Sequence, residues 1–159
     1  NKPDRYVIAL SGGVDSAVLA LALAVTRGRH GKSLLAVHVD HQLHPESGTW
    51  NEHCRRLADA LGIQFVAETV SVDTNAGIGI EAAARAARYD ALALHAGERD
   101  WLLSAHHRND QAETLLLNLM RVSGPSGLAV LGLLTQFAGG WLARPFIDVS
   151  RAALEAYAA

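Results

Sequence analysis

The 159-residue sequence predicts an α/β fold, doubly wound around a mainly parallel five-stranded sheet with helices on both faces. Three observations carry that expectation. Apolar runs of strand length alternate with Ala- and Leu-rich segments of helical length. Glycines stand where those helical segments stop. The first apolar run is continuous, as a strand buried on both faces requires.

Residues 6–10 (Tyr-Val-Ile-Ala-Leu) are the first expected strand, stopped by Ser11-Gly12-Gly13. A helix follows over 14–27 and ends at Gly28 and Gly31. Residues 33–39 are the second strand, and a polar loop runs through Pro45. A helix over 46–61 carries apolar positions at helical spacing and stops at Gly62. Residues 64–72 alternate and read as the third strand; 73–79 is a loop, and 80–96 an Ala-rich helix closed by Gly97. Residues 101–105 are the fourth strand, and a helix over 110–122 ends in Ser123-Gly124-Pro125-Ser126-Gly127. Residues 141–143 are the fifth strand, before a last helix from Ser150. The stretch 123–140 is the least regular and is expected to be a mobile loop. There is no internal repeat. The chain stops inside its last helix, so it is expected to be a piece of something longer.

Composition excludes whole classes of function. Half the residues are hydrophobic and 19% charged, unlike a disordered polyelectrolyte. The formal net charge is −2, so no basic tail or stripe marks a protein that coats nucleic acid. Twelve of the 14 cationic side chains are Arg, the better ligand for phosphate and carboxylate. One cysteine, Cys54, rules out an internal disulfide framework and any multi-cysteine zinc site. No apolar run reaches the roughly 20 residues of a membrane span, and no signal peptide is visible, so a soluble, cytoplasmic single domain is expected.

Ser11-Gly12-Gly13-Val14-Asp15-Ser16 joins the first strand to the first helix, where ligands of a doubly wound sheet bind. Gly12 and Gly13 let the backbone turn tightly and bring N–H groups close to an anion. The helix adds unpaired donors and the positive end of its dipole. Ser11 and Ser16 supply hydroxyls, and Asp15 suits a magnesium ion or the phosphates through one. The run is a pyrophosphate cradle. It lacks the Gly-Lys-Ser/Thr of a Walker A loop and fits neither the GxGxxG fingerprint nor the GxSxG elbow. The plainer alternative is a strand–helix turn capped by Ser11.

SGGVDS is the signature of the PP-loop ATP pyrophosphatases. Around it stand His38-Val39-Asp40-His41-Gln42-Leu43-His44, Glu81-Ala-Ala-Ala-Arg85-Ala-Ala-Arg88-Tyr89 and Ala105-His106-His107-Arg108-Asn109-Asp110-Gln111-Ala112-Glu113-Thr114. Ser123 to Leu128, Arg144-Pro145 and Ser150-Arg151 complete the set. In this order the blocks resemble the N-terminal catalytic domain of the tRNA(Ile)-lysidine synthase family over essentially the whole chain. Two positions depart from the family pattern: His44 replaces an arginine, and Asn109 replaces the first aspartate of an HHxDDQ block.

The resemblance implies the adenine nucleotide alpha hydrolase-like fold of PP-loop proteins. It also implies a ligase forming a C–N bond: ATP activates C2 of the wobble cytidine in the CAU-anticodon isoleucine tRNA. Free L-lysine then displaces AMP, leaving lysidine, AMP and pyrophosphate. ATP as substrate, Mg²⁺, the tRNA and L-lysine are the implied cofactors and partners, with no membrane. Oligomerisation and C-terminal tRNA-binding domains are implied for the full-length protein. Ser11, Gly12, Gly13, Val14, Asp15, Ser16 and His38 are expected to bind nucleotide, with Asp15 the magnesium ligand. Asp15, Arg85, His106, Asp110 and Glu113 are the expected catalytic set.

Most of these residues also have plain readings. Asp110 and Glu113, three apart near a helix start, suit two ammonium groups of lysine, or simply the helix dipole. Arg85 faces ATP phosphate in the resemblance, whereas spacing alone pairs it with Glu81; Arg88 is left open. His106 sits where it meets phosphate or orients an acid. His38, His41, His44, His106 and His107 raise the prospect of a metal site, but the first three lie along an extended segment whose side chains alternate, so they do not share one face. Cys54 is expected to be a buried small hydrophobe. Trp50, Trp101 and Trp141 are expected in packing, and Asn109 as a helix cap. A PP-loop tRNA thiolase is the nearest rival, disfavoured because sulfur transfer needs paired cysteines. A non-catalytic nucleotide-binding module is the other.

Overall fold

The sheet grows outward from β1 (Arg5–Ala9), which pairs in parallel with β2 (Ser33–Asp40) on one side and β4 (Asp100–Leu103) on the other. Strand β3 (Gln64–Thr69) adds in parallel to β2, and β6 (Gly140–Ala143) in parallel to β4. Strand β5 (Leu134–Phe137) closes the edge, antiparallel to β6. The order is β3-β2-β1-β4-β6-β5. The structure, a computed structural model, describes residues 2–42, 47–71, 79–120 and 131–159, without the side chains of 47, 119 and 120. Its helices are α1 (Val14–Val25), α2 (Arg27–His30), α3 (Ser47–Ala60), α4 (Ile80–Ala93), α5 (Arg108–Met120) and α6 (Arg151–Ala158).

Neighbouring residues on the central strands enter opposite cores, which is why their sequences are apolar throughout. Ile8, Leu34 and Leu103 join Leu10, Leu19, Ala36, Cys54 and Ala58 on the side carrying α1 and α3. Val7, Leu35 and Leu102 join Val37, Leu92 and Leu142 on the side carrying α4. Val7, Ile8 and Leu102 are fully buried, each worth about 1.5–3 kcal/mol of transfer from water. The predicted doubly wound, mainly parallel architecture is the one observed. Among the described residues no helix is long and apolar enough to cross a membrane.

Three expectations need correction. The sheet has six strands, not five. The added strand, β5, lies in the 123–140 stretch expected to be a mobile loop; residues 123–130 of that stretch lie outside the described residues. A two-residue turn joins β5 to β6 with positive φ at both Ala138 (49°) and Gly139 (80°), the type I′ pattern. Ala-Gly does not advertise that turn as Asn-Gly would. Helix α2 was not expected, and α5 begins two residues earlier than predicted, at Arg108.

The chain steps outward from β1 through β2 to β3, then returns to the far side of β1 as β4. The strand order therefore reverses between β1 and β4. Loops after these two strands lie side by side above their carboxyl ends, the crevice where such sheets bind ligands.

Candidate active site

Gly12 holds φ +91° in the loop after β1, and a Cβ there would stand 3.3 Å from the Cys54 sulfur. Both the turn and the close approach therefore demand glycine. Ser16 ties the loop together: its Oγ donates to the Gly13 carbonyl (2.9 Å), accepts from the Ser11 amide (3.2 Å) and lies 3.1 Å from Ser11 Oγ. Gly13 is the residue before α1 and no side chain caps that helix. Ser11 Oγ accepts from the Gly13 amide at 3.4 Å and does not cap the helix, so among the described residues no side chain competes with an anion for the donors of the first turn. Val14 opens the helix, half exposed beside them.

Asp15 projects from that first turn toward the loop after β4. Its Oδ1 is buried without a hydrogen-bond partner, and its Oδ2 lies 3.6 Å from His107 Nε2. His107, 6% exposed, precedes α5 and accepts from the Asp110 amide through Nδ1 (3.4 Å). Asp110 reciprocates, its Oδ2 taking the His107 amide at 2.7 Å and lying 3.2 Å from His107 Nδ1. This is a capping box made with His and Asp instead of Ser and Glu. One buried histidine thus lies between two carboxylates from the loops after β1 and β4: its backbone amide holds Asp110, and its Nε2 edge faces Asp15. Sequence reasoning weighed His107 only as one of five possible metal ligands; the signal for its capping role was its place three residues before an acid at a helix start.

A cavity of about 330 Å³ opens beside this arrangement, within the range of small-molecule sites. Its walls include Ser11, Gly13, Asp15 and Ser16 of the loop, His38 to Gln42, Arg88, Tyr89, His106 and Asp110. His38, 4% exposed, bonds the Leu10 carbonyl through Nδ1 at 2.8 Å. Cys54 lies beneath, its Sγ 3.8 Å from the same carbonyl, and burial pushes its thiol up to about 11. It is the inert hydrophobe expected. His106 shares a 2.8 Å bond with Ser104 Oγ; burial, then the nearby Arg85, lowers its pKa to about 4. At neutral pH it is an uncharged imidazole, able to share a hydrogen bond with phosphate but not a full charge.

The structure separates other predicted residues. Glu113 is exposed on α5 and does not line the cavity, whereas Asp110 does. Arg85 makes no pair with Glu81. Its guanidinium lies 5.1 Å above the Tyr89 ring, with Nη2 3.4 Å from the hydroxyl. Arg88 is the one of the two that lines the cavity, donating to His41 Nε2 at 3.1 Å. Arg108 turns away to the Asp148 carbonyl. Asn109 does cap a helix, but not its own: its Oδ1 accepts from the Arg151 amide at the start of α6, at 3.1 Å. Trp101 and Trp141 pair across β4 and β6, as packing residues; Trp50, half exposed, lies on the cavity wall instead. His44 and the 123–128 block lie outside the described residues.

No group of three His, Cys, Asp or Glu side chains among the described residues could hold a metal by itself. The orphaned Asp15 Oδ1 still suits one position on a magnesium ion, whose other ligands would be phosphate oxygens and water.

Known proteins match this chain closely in sequence and in fold. The PP-loop domain model matches residues 1–159. The tRNA(Ile)-lysidine synthase of Xanthomonas campestris pv. campestris is 47% identical over 98% of this chain, covering 36% of that protein. Those of Alkalilimnicola ehrlichii and Vibrio cholerae are each 46% identical over 96% and 97% of this chain. The chain thus spans about a third of the length of the curated relatives it matches. In fold it is similar to the U34-tRNA thiolase NcsA from Methanococcus maripaludis, solved with its 4Fe-4S cluster. That likeness has a TM-score of 0.80 at 17% identity, over 99% of this chain and 57% of the other. With the whole chain matched and its loop, sheet order and crevice in place, this protein belongs to the PP-loop domain family.

Proposed function

We propose that this chain is the ATP-using catalytic domain of a tRNA(Ile)-lysidine synthase, ligating free lysine to C2 of a wobble cytidine in the cytoplasm. One observation carries the reading. Asp15 and Asp110 flank the buried His107 at one cavity, in a chain 46–47% identical to such synthases. The cradle of Ser11, Gly12, Gly13 and Ser16 binds the β- and γ-phosphates through backbone donors and the open end of α1. Asp15 would hold the magnesium ion, which offsets charge on the phosphates. The cytidine O2 attacks the α-phosphorus and pyrophosphate leaves. The lysine amine then adds at C2, the C2–O bond breaks, and AMP departs. Asp110 holds the ammonium group and takes the proton released as the new C–N bond forms. Glu113, further along α5 and exposed, is assigned the outer ammonium group.

Arg88, on the cavity wall, is better placed than Arg85 to meet charge on the departing phosphates. The thiolase alternative has no sulfur carrier within this chain: Cys54 is fully buried and its thiol stays protonated to about 11. The test is to incubate the protein with ATP, CAU-anticodon isoleucine tRNA and radiolabelled lysine. AMP, pyrophosphate and RNA-bound lysine are expected in equal amounts. AMP release indifferent to lysine, or label that never enters RNA, would refute the assignment.

A further inference from the structure

The two edges of the sheet are finished differently. Along β3, Glu68 is paired with His95 and Arg55 lies over the Phe65 ring, charged dressing of the kind that keeps a free edge from pairing. Strand β5 has none of this. No residue between Arg121 and Arg144 is charged. Leu133 and Leu134, where the strand begins, are 59% and 39% exposed. They line an apolar groove of about 290 Å³ whose other walls include Trp101, Leu103 and Ala143.

The backbone of β5 is only half used. The Arg144 amide donates to the Leu133 carbonyl at 2.8 Å, and Thr135 and Phe137 stand opposite Leu142 and Gly140. Bonded residues alternate along an antiparallel pair, so Leu133, Thr135 and Phe137 turn their backbone groups toward β6. Those of Leu134 and Gln136 turn to the open side, where no described residue takes them up. They stand evenly about Thr135, so an antiparallel strand of the same sequence meets them in register. Leu134 of each copy then exchanges both N–H···O bonds with Gln136 of the other.

We propose that β5 is a self-pairing edge, through which two copies of this chain join about a two-fold axis at Thr135 into one continuous sheet. The contact is isologous, the same patch on both copies, and an uncharged edge sets no like charges against each other. Growth stops at two copies because the outer edges left over are the charged β3 strands. The axis stands perpendicular to the sheet, so the two apolar grooves open on one face with the exposed leucines of both copies between them.

Sedimentation velocity of the chain over a concentration series should show a monomer–dimer equilibrium, and hydrogen exchange read by NMR should locate the contact. The Leu134 and Gln136 amides should slow about tenfold or more as the dimer fills, whereas those of Thr135 and Phe137, bonded to β6, are slow throughout. Gln136→Pro deletes an outward N–H that no described residue uses, at an edge position where proline is tolerated. It should weaken the dimer about tenfold or more, since each copy loses a bond. Leu134→Lys should do the same by bringing charge to the edge. A chain that stays monomeric at every concentration overturns the proposal. Fast exchange at the two amides would then leave the edge to a foreign strand, and slow exchange would mean that the chain covers it itself. A dimer in which both amides remain fast also overturns it, because that dimer forms elsewhere. If Gln136→Pro does not fold, Leu134→Lys and the wild-type exchange decide.

Discussion

Replacing Asp110 with Asn separates the chemistry of that carboxylate from its structural duty. Oδ2 of Asp110 accepts from the His107 amide at 2.7 Å, and the carbonyl oxygen of an Asn can do the same. What is lost is the charge: its attraction to the start of α5 and its contact, 3.2 Å away, with His107 Nδ1. The side chain is 33% exposed, so the stability cost stays below about 1 kcal/mol, a few degrees in Tm. Activity should fall far more, on the order of 100-fold, because the variant loses a charge-assisted contact to an ammonium group and its proton acceptor together. Asn109→Asp is the matched control: its oxygen accepts from the Arg151 amide, a task a carboxylate does equally well, so the rate should hold within about twofold. Lysine-dependent tRNA modification at saturating ATP measures both. A folded Asp110→Asn protein working near the wild-type rate would refute the reasoning, as would a large effect confined to position 109.

Three further outcomes follow from single observations. Asn109→Ala removes an acceptor at the start of α6 and should lower stability by about 1 kcal/mol in urea titration, with the reaction rate preserved. Gly140→Ala would put a Cβ 2.6 Å from the Asp100 carbonyl and 2.8 Å from that of Gly97, both backbone; a loss of about 3 kcal/mol should appear in the same titration. His106, held near 4, makes stability decline on acidification. Between pH 6.5 and 4 the unfolded chain takes up a proton that the folded one refuses, so His106→Gln should flatten that limb by roughly 1–2 kcal/mol.

Much of this could be read from the sequence because the physics was local. The β1 strand, the glycine turn and α1 follow one another directly, and each is specified by its own residues. The buried central strands were visible as unbroken apolar runs such as residues 6–10. Strand β5 was not, because Leu134-Thr-Gln-Phe is short, partly exposed and anchored by pairing with β6 alone. The roles of Asn109 and Arg88 were hidden for another reason. Their partners, Arg151 and His41, lie 42 and 47 residues away along the chain, beyond any local pattern. His107 was hidden by its neighbours, since nothing in a His-His pair says which imidazole turns inward.

The seat of Cys54 under the glycine turn has a practical corollary. Alkylating reagents attack the thiolate, and this sulfur is fully covered and protonated until about pH 11. Reaction must await a moment when the turn lifts and water reaches the sulfur. The slow labelling of one native atom therefore keeps time for the opening of the cradle, with no dye to attach and no second cysteine to remove. Anything that settles into the cradle from above should slow that clock.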